Sequence, residues 1–143
     1  MTVIFSKKCE YGLQGTLYLA ANTDKGPISS DEIAEVLQIP KEFVSKILQS
    51  LTKHDIIGSK KGKAGGFFLK KPANEVKLID IVTAIDGTDI FESCVLGFPQ
   101  CSPDHPCPVH DRWGTLRDEA FTMLSSETLD QLTEKTLSKI KSL

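Results

Sequence analysis

The 143-residue sequence has no apolar run that approaches the roughly 20 residues needed to span a bilayer. Its first residues, MTVIFSKKCEYG, also lack the basic and then apolar layout of a signal peptide. We therefore expect a cytoplasmic protein that has no membrane partner. A reducing cytosol disfavours structural disulfides, so the four cysteines are better suited to a metal or redox site than to crosslinks.

Three of the cysteines lie in one short stretch, CVLGFPQCSPDHPCPVHDRW, at residues 94–113. Its four prolines (99, 103, 106 and 108) exclude a regular helix between the cysteines, and an irregular backbone lets several thiolates converge on one point. Six residues separate Cys94 from Cys101, five separate Cys101 from Cys107, and His110 then completes a Cys-x-x-His arrangement.

Four kinds of site can be considered for this stretch. An iron–sulfur cluster tolerates wide cysteine spacing, because each iron takes its own ligand. Structural zinc usually uses cysteine pairs two to four residues apart, which this stretch lacks. A thiol–disulfide switch needs no metal. A catalytic cysteine is disfavoured because no glycine-rich cradle surrounds Cys107, so we expect neither enzyme activity nor a small-molecule substrate. The residue types favour a cluster over zinc.

Positive charge is concentrated in one part of the chain. Residues 41–71 contain eight lysines but only Glu42 and Asp55 as acidic residues, a net charge of +6, whereas the remainder has a net charge of −8. A basic stripe on an acidic protein indicates a local contact with a polyanion such as double-stranded DNA.

The same region predicts a helix-turn-helix. Ser6 can cap a first helix that extends to about Asn22, and Ser29 can cap a short second helix. Pro40 ends the second helix and is tolerated in the first turn of a third. The third helix has a wide apolar stripe and a free face that is polar and basic.

A basic hairpin follows directly. The segments DIIGSKK and GGFFLKK are predicted to form two short strands, and the glycines between them suit a hairpin tip. A basic hairpin after a helix-turn-helix is typical of a winged helix, which places one helix in the major groove and the wing on neighbouring phosphates.

The rest of the chain predicts three more helices. One follows Pro72 and ends near Gly87, and two follow the cysteine stretch. The apolar stripes of the last two helices belong either to the core or to a dimer seam. We therefore predict a mainly α fold with a small β-hairpin wing. A winged helix-turn-helix region covers residues 1–75, and residues 76–143 hold the cysteine loop (94–110) and dimerisation helices, within one compact chain.

Over nearly its whole length the chain resembles the bacterial winged-helix regulators of the Rrf2 family, which includes IscR and NsrR. The resemblance is carried by the opening helix FSKKCEYGLQGTLYLA, the helix-turn-helix GPISSDEIAEVLQIPKEFVSKILQSLTKHDII, the wing and following helix GSKKGKAGGFFLKKPANEVKLIDIVTAIDG, and the position of the cysteine loop.

The resemblance implies a homodimeric transcriptional regulator whose affinity for DNA depends on an iron–sulfur cluster, of two or four irons. Cys94, Cys101 and Cys107 match the three cluster thiolates. The fourth ligand is either Glu10 from the partner subunit or His110. We favour Glu10, because a ligand from the other chain would couple the cluster to dimer geometry. Zinc is the alternative metal.

The way in which a winged helix docks on DNA predicts which residues contact it. The face formed by Lys41, Glu42, Ser45, Lys46 and Gln49 would enter the major groove. Phe43 would either touch a thymine methyl or pack under the recognition helix. The wing lysines Lys60, Lys61 and Lys63 would bind phosphates, while Gly65 and Gly66 let the backbone approach. Cys9 is predicted to be a small buried apolar residue.

Overall fold

A computed structural model describes residues 4–100 and 102–143 of the chain. This part of the protein contains six α-helices and one antiparallel hairpin. In chain order the elements are α1 (Lys7–Ala21), α2 (Ser30–Leu37), α3 (Lys41–Thr52), β1 (Ile57–Lys60), β2 (Gly66–Leu69), α4 (Leu78–Asp86), α5 (His110–Ser126) and α6 (Leu129–Lys141). The predicted fold, mainly helical with a β-hairpin wing, is confirmed.

The two predicted serine caps begin their helices. The Ser6 hydroxyl accepts a hydrogen bond from the backbone N–H of Cys9 at 3.0 Å, and the Ser29 hydroxyl accepts one from the N–H of Glu32 at 3.2 Å. Each cap satisfies a backbone donor that the first helical turn leaves without an intrahelical partner. The Glu32 carboxylate accepts a hydrogen bond from the buried Tyr18 hydroxyl at 3.0 Å, which ties α2 to α1.

The helix-turn-helix consists of α2 and α3. Gln38 ends α2 in the left-handed conformation, with φ of 57°, and Pro40 then precedes the first residue of α3. The inward stripe of α3 is buried in the main core; it consists of Val44, Ile47, Leu48 and Leu51. Because these residues share one side of the helix, the opposite side is left facing solvent.

The hairpin pairs Ile57 with Leu69 and Lys60 with Gly66. It is attached to the helical core by two backbone hydrogen bonds between Ile28 and Phe67, of 2.8 and 2.7 Å. Gly66 has φ of 153°, and a Cβ atom there would collide with the backbone of Ile28. The fold itself therefore requires glycine at this position. A contact of Gly66 with DNA stays a prediction.

The last helix, α6, returns to the winged unit. The backbone N–H of Leu129 donates to the carbonyl of Val76 at 2.8 Å, and both side chains are buried in the main core. In α5, by contrast, Leu124 is the buried residue among those described. No helix in residues 4–100 and 102–143 is long and apolar enough to cross a membrane.

Candidate functional site

The predicted reading face of α3 faces solvent. Five of its six predicted residues are exposed and Ser45 is half-buried; the exposed ones are Lys41, Glu42, Phe43, Lys46 and Gln49. Lys41 on this face forms an ion pair, with its ammonium 2.6 Å from the Asp31 carboxylate of α2. Both side chains are about two-thirds exposed, so this pair contributes little to stability and can be exchanged for another anion.

The wing carries its lysines around the tip. Lys60, Lys61 and Lys63 are all exposed, and the turn is closed by a hydrogen bond from the N–H of Gly65 to the carbonyl of Gly62 at 3.0 Å. A Cβ atom on Gly65 would collide with the Lys60 carbonyl, so the tip needs glycine for its own conformation.

The base of the wing has a different electrostatic environment. Lys70 donates to the Asp55 carboxylate at 2.9 Å, and this hydrogen bond and charge lower the pKa of Asp55. The charge of Lys70 is thus partly balanced by Asp55, whereas within residues 4–100 and 102–143 the tip lysines form no ion pair.

Phe43 has features of both predicted roles, which are contact with a thymine methyl and packing under the recognition helix. Its ring contacts the Tyr11 ring of α1, with 6.2 Å between centroids, yet 49% of its surface remains exposed. Part of the Phe43 ring therefore packs against α1, while the rest is exposed to solvent.

Tyr11 has a second neighbour. The Lys7 ammonium lies 5.4 Å from the centre of the Tyr11 ring, within cation–π range, and 3.3 Å from the Glu10 carboxylate. Sequence reasoning gave Lys7 no role. The i, i+3 and i, i+4 spacing to Glu10 and Tyr11 was the signal that could have identified it.

The cysteine loop brings two of its three thiols together. Cys94 is buried and Cys107 is half-buried, and their side chains are close enough to form a hydrogen bond. Cys101 lies outside the described residues. Within the part that is described, no group of three His, Cys, Asp or Glu side chains is assembled around one point.

Backbone amides surround the Cys94 sulfur. Burial by itself raises the pKa of Cys94, but hydrogen bonds from the backbone of Leu96, Phe98 and Gly97 and from Cys107 outweigh it, and the pKa is lowered. Hydrogen bonds of this kind favour a thiolate, which is the form that binds a metal or cluster.

The two candidates for the fourth ligand lie on different elements. His110 is the first residue of α5, and its N–H donates to the Cys107 carbonyl at 3.1 Å, so it is in the same turn as a predicted ligand. Glu10 is in the first turn of α1, where Lys7 pairs with it and leaves its side chain 26% exposed.

Cys9 is fully buried, which confirms the prediction of a small apolar residue. Burial, together with the negative charge and hydrogen bonding of Asp86, raises the pKa of the Cys9 thiol to about 12. Asp86 also accepts hydrogen bonds from the Ser6 N–H at 3.0 Å and the Ser6 hydroxyl at 2.5 Å. Cys9 is therefore an uncharged thiol at neutral pH.

The loop is anchored to α5 and exposes apolar residues. The Trp113 indole N–H donates to the Ser93 carbonyl at 2.8 Å. Beyond Cys94, three large apolar side chains are more than half exposed: Val95, Leu96 and Phe98.

An apolar surface continues along α5. Leu116 is 57% exposed and Met123 is 63% exposed. A groove of about 180 Å³ lies at Leu116; it is lined by Ile4, Ile90, Phe91, Trp113, Leu116, Arg117 and Ala120. A monomeric protein rarely leaves so continuous an apolar surface in water.

The family model for Rrf2, described as an iron-dependent transcriptional regulator, matches residues 5–135. The chain belongs to the Rrf2 family. An HTH-type transcriptional regulator of Aquifex aeolicus is 33% identical over 132 residues, which is 91% of each chain. IscR of Pectobacterium atrosepticum is 28% identical over 127 residues, covering 89% of this chain and 77% of its own.

Solved structures of Rrf2-type regulators have the same fold. CymR, the global cysteine regulator of B. subtilis, superposes with a TM-score of 0.79 at 22% identity, over 94% of this chain and 98% of its own. An oxidized form of Staphylococcus aureus CymR gives a TM-score of 0.73 at 28% identity, over 93% and 97% of the two chains. The protein is thus a winged-helix transcriptional regulator, in agreement with the prediction that it is not an enzyme.

Proposed function

We propose that this Rrf2 regulator is a cytoplasmic homodimer that binds double-stranded DNA and senses redox state, nitric oxide or iron–sulfur status through a cluster in its cysteine loop. The observation that carries the proposal is the pairing of Cys94 with Cys107 in a loop packed on α5. The relation to IscR, and a family model described as iron-dependent, support the cluster.

The donor set fits an iron–sulfur cluster. Cys94, Cys101 and Cys107 would supply three thiolates, and the backbone N–H groups around Cys94 would stabilise sulfur charge as they do in cluster proteins. Glu10 of the partner subunit or His110 would be the fourth ligand. When bound, a cluster of two or four irons would supply a group whose charge and integrity respond to oxidants, nitric oxide and iron supply.

The DNA contacts follow from the exposed basic surfaces. Lys41, Glu42, Ser45, Lys46 and Gln49 would enter the major groove, with half of the Phe43 ring open toward it. Lys60, Lys61 and Lys63 would hold the flanking phosphates. Gly65 and Gly66 keep the wing tip narrow, which allows its backbone to approach DNA.

The apolar surface of α5 supports a dimer. Leu116, Met123 and the adjoining groove would be covered by the second subunit. The cysteine loop ends where α5 begins, so a change at the cluster would act directly on this interface and alter the distance between the two recognition helices.

A second candidate function is a cluster-free thiol switch, or a site stapled by zinc. The contact between Cys94 and Cys107 favours the thiol switch, because two adjacent thiols can form a disulfide when an oxidant accepts their electrons. A solved structure of an oxidized form of the related S. aureus CymR also supports this second candidate.

Anaerobic purification, followed by visible absorption and assay of iron, sulfide and zinc, tests the cofactor. We expect iron with matching sulfide and broad visible bands, lost in Cys94→Ala and Cys107→Ala. Cys9→Ala, which removes a thiol of the core, is the control and should retain the iron. Zinc, or reduced thiols without metal, would overturn the cluster and leave the second candidate.

Salt dependence of DNA binding tests the wing. Lys61→Gln and Lys63→Gln should weaken binding to all sequences alike and reduce the slope of log affinity against log salt by about 0.9 for each phosphate lost. Lys70→Gln removes the same charge from a lysine already paired with Asp55 and should have a smaller effect. A change only in sequence preference would contradict the wing assignment.

A further inference from the structure

We propose that Lys7 is a phosphate contact of the DNA interface, and that Glu10 controls its availability by pairing with it in the protein that lacks a cluster. This inference rests on the proposed function, because it takes DNA as the partner and Glu10 as the ligand of the cluster in the other subunit. It adds to the predicted interface a residue that belongs to α1 and not to the helix-turn-helix.

The position of Lys7 follows from two ring contacts. Its ammonium lies 5.4 Å from the centre of the Tyr11 ring, and the Tyr11 ring lies 6.2 Å from the ring of Phe43. Phe43 is in the first turn of α3, beside the exposed residues Lys41 and Glu42. Lys7 thus borders the end of α3 that would meet DNA, and its side chain is 54% exposed. A cation at the edge of a major-groove interface is suited to bind backbone phosphate.

The ion pair of Lys7 with Glu10 makes the proposed phosphate contact depend on what Glu10 binds. The Lys7 ammonium is 3.3 Å from the Glu10 carboxylate, which reduces the positive charge that Lys7 presents toward DNA. Lys7 is 54% exposed and Glu10 26% exposed, so water screens the pair and either partner can be drawn away by a stronger interaction. If Glu10 binds the cluster of the partner subunit, Lys7 loses its counter-charge and becomes free for phosphate.

The movement of Glu10 from Lys7 to the cluster would give the two states of the protein different affinities for DNA, which a sensor needs. A change of state alters DNA binding only through interactions that differ between the two states. Release of Lys7 would add one phosphate contact in each subunit of the protein that holds the cluster. The pair of Lys41 with Asp31 lies on the same surface but involves no predicted ligand, so it would be the same in both states.

A double-mutant cycle on the cluster-free full-length protein tests the inference. DNA affinity is measured against salt for wild type, Lys7→Gln, Glu10→Gln and the double variant. We expect Glu10→Gln to raise the affinity and to steepen the salt slope by about 0.9 per subunit. Lys7→Gln should not steepen the salt slope. The double variant should have the same DNA affinity and salt slope as Lys7→Gln, because Glu10 acts through Lys7.

Lys8→Gln is the matched control, since it removes the same charge from the next residue of the same helix. It should leave the effect of Glu10→Gln intact. If Glu10→Gln raises affinity equally in the Lys7→Gln background, Glu10 acts by general charge and the inference is wrong. If wild type shows no salt-dependent DNA binding with or without the cluster, the proposed function itself fails.

Discussion

The last two helices, α5 and α6, have similar apolar periodicity but lie in different surroundings. Leu129 at the start of α6 is fully buried in the main core and hydrogen-bonded to Val76, so α6 closes the core. In α5, Leu124 is buried, while Leu116 and Met123 face solvent. Two amphipathic helices can therefore lie in different surroundings: one completes the core, and the other leaves apolar side chains exposed.

The largest expected effect concerns the core helix. Leu129→Ala should lower the free energy of unfolding by about 2–5 kcal/mol, because it leaves a cavity at a site that is fully enclosed. Urea denaturation measures this change. Leu116→Ala, which truncates a leucine of α5 that is 57% exposed, is the control and should cost much less in the isolated subunit. Equal losses would remove the distinction between the two helices.

The next effect concerns the apolar surface of α5 that we propose to form the dimer interface. Leu116→Glu should weaken dimerisation by at least about 100-fold, since a carboxylate would be buried in an apolar interface. Sedimentation measures the dimer, and circular dichroism checks that the subunit remains folded. Thr122→Glu is the control, because Thr122 lies with Asp118 and Glu119 on a polar side of the same helix. A dimer that tolerates Leu116→Glu would place the interface elsewhere.

A pH effect probes the contact that joins α5 to the core, where Leu124 packs with Cys9. The Cys9 pKa is raised from 9.0 to about 12, so the unfolded state loses this proton first as pH rises. The contribution of Cys9 to stability should be constant below about pH 9 and should fall progressively toward pH 12. Denaturation under reducing conditions should show a smaller decline in Cys9→Ala.

Tyr18 provides the comparison for that measurement, because burial and its hydrogen bond to Glu32 raise the Tyr18 pKa from 10.0 to about 12. Its contribution has the same sign but begins about one pH unit higher and should persist in Cys9→Ala. If the decline in Cys9→Ala equals that of wild type, Cys9 is not buried as a thiol in the folded state.

The smallest effect concerns how the two helices begin. The side chain of Gln131 accepts a hydrogen bond from the Thr128 N–H at 2.9 Å, whereas Val109, the residue before α5, provides no side-chain cap. Gln131→Ala should cost about 0.5–1 kcal/mol by denaturation. Gln131→Glu keeps the acceptor and should cost less. A larger loss in Gln131→Glu would show that the hydrogen bond is not what matters.

Much of the candidate site was predictable because it depends on local patterns. The exposed face of α3 follows from a helical period of 3.6 residues, and the wing tip follows from glycines between short strands. The contact between Cys94 and Cys107 was foreseeable from three cysteines in one irregular segment. The link from Lys7 through Tyr11 to Phe43 was not, because it joins residues more than 30 positions apart across the packing of α1 on α3.

The sequence by itself determined where the first two helices begin, which face of α3 is polar and where charge and cysteines accumulate, since these depend on neighbours a few residues away. Tertiary structure alone decided that α6 completes the core while α5 does not, and that Gly66 must admit the backbone of Ile28. It also decided that Lys7 lies beside the reading helix. The physical reason is that burial and close approach depend on what other segments bring to the same place.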